Sequence, residues 1–155
     1  MKARAYLAVM PATYRLDLTN RVVWSLAWGA LTDEELQAHS KTLRADPRFE
    51  AEFRQLQDLT GVDTSAVTSS GLTRLTQMNP FGKRARRAVL VSSDVAFGLA
   101  RMHEQMRGDS ADELQVFRDR AAALEWLGLP PDWTPPAADP ADPLFQSAER
   151  PNETL

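Results

Sequence analysis

Hydroxyls stand in a row at Thr68-Ser69-Ser70, followed at once by Gly71. Side-chain oxygens at a helix start accept from backbone N–H groups that lack a helical partner. A phosphoryl group at the same place would face the positive end of the helix dipole. Modification of Ser70, with Ser69 and Thr68 beside it, would add about 2 negative charges to a small surface, a change able to expel an acidic partner. Gly71 lets a second backbone come close, and it serves a plain turn equally well.

Other chemistry-bearing residues are scarce. The chain has no Cys, so disulfides, thiolate metal sites and Cys nucleophiles are excluded, which fits a reducing, cytoplasmic setting. His39 and His103 lie 64 positions apart, outside HxxxH or HxH spacing, and no GxSxG occurs. They read as ordinary helix residues, and neither a metal, a cofactor nor an enzymatic reaction is expected. Asp33, Glu34 and Glu35 read as the acidic first turn of a helix. The basic run Gly82-Lys-Arg-Ala-Arg-Arg87 has no interleaved aromatics and no Gly-rich phosphate loop, so it reads as a solvated loop rather than a nucleic-acid site. Met78, Phe81, Phe97, Met102 and Met106 fit two readings, core side chains or the lining of an apolar cleft between helices.

The elements that must carry these residues follow from length and periodicity. At 155 residues and 17.3 kDa, with 43% hydrophobic and 25% charged residues, the chain has the size and composition of one globular domain. A net charge of −3 argues against broad attraction to nucleic acid or anionic membrane. No stretch approaches the roughly 20 apolar residues that span a bilayer. Residues 1–12 read as an arm or extra strand and 13–129 as the domain. Residues 130–155 read as an irregular tail, because seven of the ten prolines lie there. Trp133, Leu144 and Phe145 are the groups able to pin that tail down.

Within the domain, Tyr14, Leu16 and Leu18 alternate with polar residues, and a β-rich run from Val22 to Trp28 follows Thr19-Asn20, predicting a hairpin. Thr32-Asp-Glu-Glu35 is a capping box opening a helix to about Leu43. A strand is predicted over Phe53 to Leu59, and a short helix from Ser69 or Ser70 to Met78. Arg87 to Val91, with the continuous apolar run Ala-Val-Leu-Val, predicts a strand buried on both faces, and Ser93-Asp94 opens a helix that Gly108 stops. Leu114 to Phe117 predicts a last strand, and Asp119 opens a helix ended by Gly128. The order ββαβαβαβα predicts a single α/β domain: a mixed sheet with an opening hairpin and about four helices packed against it.

The segment Gln55-Leu-Gln-Asp-Leu-Thr-Gly-Val62, followed by Thr68-Ser-Ser-Gly-Leu72, resembles the STAS domain family, the anti-sigma-factor antagonists and SpoIIAA-like proteins of bacteria. There a strand ending in Asp-Leu-Ser-Gly-Val leads to Asp-Ser-Ser-Gly-Leu, whose Ser before Gly is the regulatory phosphorylation site. The resemblance implies a STAS-like fold and assigns Ser70 as the phosphoacceptor, with Ser69, Thr68 and Gly71 completing the switch. Thr68 stands where that family has Asp. It further implies a non-catalytic regulatory domain that signals through a protein partner, a second copy of the chain being one such partner. Small apolar-ligand (lipid-like) binding or sensing on the same fold is the alternative, with the cleft residues above as its lining.

Overall fold

The computed structural model describes residues 12–108 and 112–137. Five strands, β1 (Ala12–Asp17), β2 (Val22–Leu31), β3 (Arg54–Ser65), β4 (Arg86–Leu90) and β5 (Glu113–Phe117), form one sheet in the order β1-β2-β3-β4-β5. Four helices, α1 (Asp33–Ala45), α2 (Ser69–Gln77), α3 (Asp94–Met106) and α4 (Arg120–Leu127), follow strands β2 to β5 in turn. β1 pairs antiparallel to β2, and every later pairing is parallel. The chain is therefore a single α/β domain in the predicted order ββαβαβαβα.

Local chemistry sets most boundaries. In the hairpin the Asp17 carboxylate accepts from the backbone and side-chain amides of Asn20, while Arg21, at φ 56°, takes the left-handed position. The Thr32 hydroxyl accepts from Glu35 N and the Glu35 carboxylate accepts from Thr32 N, closing the capping box of α1. Asp119 caps α4, and Gly128 ends it at φ 74°, which glycine adopts without side-chain cost. β3 runs six residues past the predicted Leu59 because β2 continues beside it to Leu31, through two register shifts. At the first shift a Cβ on Gly61 would lie 3.0 Å from the Trp28 Cβ, so the missing side chain lets the strands stay paired.

The two faces of the sheet are covered differently. Trp24, Leu26, Leu56 and Leu90 pack against Leu124 and Leu127 of α4, with Trp133 closing the edge of this core. On the other face α1 covers β1, and α3 covers β3 and β5. α2 rests chiefly on those two helices and stands off the sheet. The segment after Leu129 has no helix or strand as far as residue 137, yet Trp133 is buried, its Nε1 donates to Asp17 Oδ2 at 3.0 Å, and Arg15 reaches the Pro136 carbonyl. The packed domain thus extends beyond the predicted end at residue 129. The predicted arm lies almost wholly outside the described residues, as do Leu144 and Phe145. Among the described residues, no helix is long and apolar enough to cross a membrane.

Candidate functional site

Two places concentrate polar chemistry, the start of α2 and the space beneath it. At the helix start the cap is Thr68, whose hydroxyl accepts from Gly71 N at 3.0 Å. The same residue is tied to α1: its backbone N–H donates to Asp33 Oδ1 at 2.9 Å and its hydroxyl to Asp33 Oδ2 at 2.6 Å. With that hydrogen committed, the 3.1 Å contact between the Thr68 and Ser70 oxygens is donated by Ser70. The Asp33 carboxylate fills the place that a side chain on residue 71 would need, because a Cβ on Gly71 would fall inside it. The close approach that Gly71 permits is therefore made by Asp33. A carboxylate thus stands at the start of α2, and the chain recruits it from α1.

Thr68, Ser69 and Ser70 are all exposed. Ser69 Oγ lies 4.0 Å from the Met102 sulfur on α3. Met102 and Met106, 43% and 38% exposed, share the outer side of α3 with Val95, 49% exposed. Their spacing of seven and four residues places all three on one helical stripe. Gly98, with open space around it, sits within that stripe. The hydroxyl row and the apolar stripe thus adjoin.

Beneath α2 lies a cavity of about 50 Å³. Its floor is a chain of polar side chains running across β2, β3 and β4. Gln55 Nε2 donates to Ser25 Oγ at 2.9 Å, and Arg87 Nε donates to Gln55 Oε1 at 2.8 Å. Arg87 also reaches Asn79 Oδ1 and Asp112 Oδ2, each at 3.3 Å, and its guanidinium lies 4.5 Å over the Phe81 ring. Arg107 holds the other Asp112 oxygen at 2.7 Å. His39 from α1 and His103 from α3 line the same cavity. Part of His39 reaches solvent, but its Nε2 is sealed and has no hydrogen-bond partner.

Burial, with the Arg87 charge adding to it, lowers His39 from its ordinary value to about 4. Burial likewise lowers His103 to about 4, reinforced by Arg87 and Arg107 and opposed by Asp112. Both imidazoles are neutral at pH 7. Burial lowers Arg87 to about 10, so it remains a cation there.

The structure does not gather the five predicted cleft residues. Phe81 is buried and lines the cavity, whereas the Met78 carbonyl, at the end of α2, accepts from Ser40. Phe97 is half-buried beneath Arg118, and Met102 and Met106 face outward, because a core-facing stripe on α3 runs through Ala96 and Ala100. The basic run read as a solvated loop is exposed at Lys83, Arg84 and Arg86, but Arg87, where the predicted strand begins, is the buried second residue of β4. The convergence of His39, Arg87 and His103 had one local signal, the polar side of the alternation Gln55-Leu56-Gln57, which a solvent-facing strand would show equally well. Among the described residues no three His, Asp or Glu side chains converge as a metal-ligand set.

Among solved structures, the chain is similar to a protein of Shewanella loihica PV-4 described as an uncharacterized protein from the DUF3478 family with a SpoIIAA-like fold. The match has a TM-score of 0.52 at 19% identity and covers 75% of this chain and 93% of that one. The chain has a SpoIIAA-like fold. No family model and no curated protein matches it. On this STAS-type fold the row Thr68-Ser69-Ser70 sits at the start of the helix after β3, the place that the motif resemblance implies.

Proposed function

We propose that this STAS-type domain is a non-catalytic regulatory module that binds a protein partner through the start of α2 and the outer stripe of α3. The observation that carries the reading is the adjacency of exposed Ser69 and Ser70 to exposed Val95, Met102 and Met106. An apolar stripe beside modifiable hydroxyls provides binding area and a means of cancelling it.

Phosphorylation of Ser70 is the control step in this reading. A phosphoryl group there would gain from the helix dipole, but it would also stand beside the Asp33 carboxylate, with only the Thr68 hydroxyl between them. Repulsion between the two anions would loosen the tie between α1 and α2 at this corner and recharge the edge of the apolar stripe. The effect falls on binding more than on stability, because both groups face solvent.

The test is affinity capture from the native host with the full chain, each captured protein being identified by mass and confirmed with purified components. Parent and Ser70→Ala are expected to retain the same partner, while Ser70→Asp and Met102→Glu lose it, and all four melt within a few degrees of one another. Equal capture by Met102→Glu would remove the stripe from the interface. Equal capture by Ser70→Asp would remove the switch.

A further inference from the structure

We propose that the free edge of β5 pairs with the same edge of a second copy of this chain, antiparallel and centred on Gln115. This edge is separate from the outer stripe of α3, and its pairing does not depend on the interaction reading.

The backbone makes the edge available. Glu113 N donates to Ala85 O, Val91 N donates to Phe117 O, and the register between β4 and β5 is unbroken from one bond to the other. Parallel pairing therefore turns the N–H and C=O groups of Glu113, Gln115 and Phe117 toward β4, and those of Leu114 and Val116 toward the open side. Among the described residues no strand lies beyond β5. The strand also lacks the usual guards, since Glu-Leu-Gln-Val-Phe contains no Pro, no Lys and no bulge. The opposite edge differs, because Arg15 stands within β1 and holds the Pro136 carbonyl.

Symmetry and the course of the chain select the occupant. With Gln115 on a two-fold axis, Leu114 exchanges both backbone hydrogen bonds with Val116 of the second copy, and Val116 does the same with its Leu114, so every outward group of these residues is satisfied. The same register sets Leu114 beside the other Val116 on the α3 face, where both already pack against the cluster of Ala96 and Ala100. Glu113 meets Phe117 rather than another Glu113, and the acidic start of each strand lies where the other runs on into Arg118. The chain's own ends join the domain at the far side of the sheet: residues 1–11 enter through Ala12 of β1, and residues 138–155 leave after Pro136, which Arg15 holds. Residues 109–111 adjoin the start of β5 but are too few to run along it. A strand edge of this length buries less than the roughly 1,200 Å² of a stable interface, so the pair is weak and reversible, with a dissociation constant on the order of 10–100 µM.

The experiment is sedimentation equilibrium of the full chain from about 5 to about 500 µM, which should show a monomer–dimer equilibrium. Amide hydrogen exchange at Leu114 and Val116 should slow as the concentration rises. Gln115 is exposed, so substitutions there leave the fold intact. Gln115→Lys and Gln115→Glu each set like charges opposite one another at the axis, and each should weaken association about fivefold. An equimolar mixture of the two should restore a dimer at least as tight as the parent's, because opposite charges then meet. The proposal is overturned by a parent that stays monomeric over the whole range, by Gln115→Lys associating as tightly as the parent, or by a mixture no tighter than either variant alone. It is also overturned if Leu114 and Val116 are protected equally at every concentration, since a segment of the same chain would then fill the edge.

Discussion

β3 contributes one residue after another to two unlike environments. Leu56 points toward α4 into a closed apolar core with Trp24, Leu90 and Trp133, while its neighbours Gln55 and Gln57 point toward α2 and line a cavity with Arg87 and two histidines. The first face follows the usual economy of a domain, in which each buried side chain gains by leaving water and polar atoms are few: Trp133 Nε1 donates to Asp17, and Trp24 Nε1 is buried without a partner. The second buries a cation and two imidazoles, each of which must be hydrogen-bonded or held neutral, and such groups add little net stability. The difference teaches that the α4 face is one closed apolar core, whereas on the other face two apolar clusters, one with Leu43 of α1 and one with Ala96 and Ala100 of α3, flank a polar space beneath α2. α2 makes this space available by resting on α1 and α3 rather than on the sheet.

The sharpest way to break this comparison is on the closed face. Trp133→Ala should cost about 3–5 kcal/mol, because it removes a large buried ring and leaves the Asp17 contact unmade. Urea unfolding should show this loss equally at pH 7 and pH 5, since no histidine touches that core. A loss under about 1 kcal/mol would mean that the segment after Leu129 only lies against the domain.

The α2 face should answer to pH instead. His39 and His103 titrate near 6.5 when unfolded but only at about 4 when folded, so below pH 6.5 the unfolded chain binds protons first. Stability is therefore fully present above about pH 6.5 and is lost progressively toward pH 4. The loss from pH 7 to pH 5 should be about 2 kcal/mol for each histidine. His39→Phe combined with His103→Leu should flatten that slope. An unchanged slope in the double variant would place the responsible protons on other groups.

The smallest effect is expected at the rim of the α2 face. Gly71→Ala should cost about 1–2 kcal/mol, because the new methyl group displaces the Asp33 carboxylate from Thr68. Adding Asp33→Ala should recover most of that loss, so the two changes would be strongly non-additive in thermal melts. Additive losses would mean that Gly71 serves its own backbone rather than the contact with α1.

Much of the fold was legible because its signals are local. The capping box at Thr32, the Asp119 cap, Gly128 and the alternation through Tyr14 and Leu16 each act within a few residues. They fixed the order of elements and most of their ends. β3 was read short because Thr60-Gly-Val-Asp has no alternating pattern; its extension depends on pairing with the far end of β2. The hydroxyl row was legible for the same reason as the caps, whereas its tie to Asp33 was not, since 35 residues separate Thr68 from that carboxylate.

What the sequence determined by itself was therefore each element's type and order and most of their ends, together with the place of Thr68-Ser69-Ser70 at a helix start. Period and capping are short-range energies that the chain carries wherever it folds. Only the tertiary structure decided which face each element turns inward. Gln55, Arg87, His39 and His103 have the polarity of surface residues, and the local patterns around Gln55 and Arg87 do not say that these four side chains meet. They came together inside because β4 lies beside β3, and because α1 and α3 hold α2 away from the sheet, so the space between them closed over polar side chains that could satisfy most of one another's hydrogen bonds.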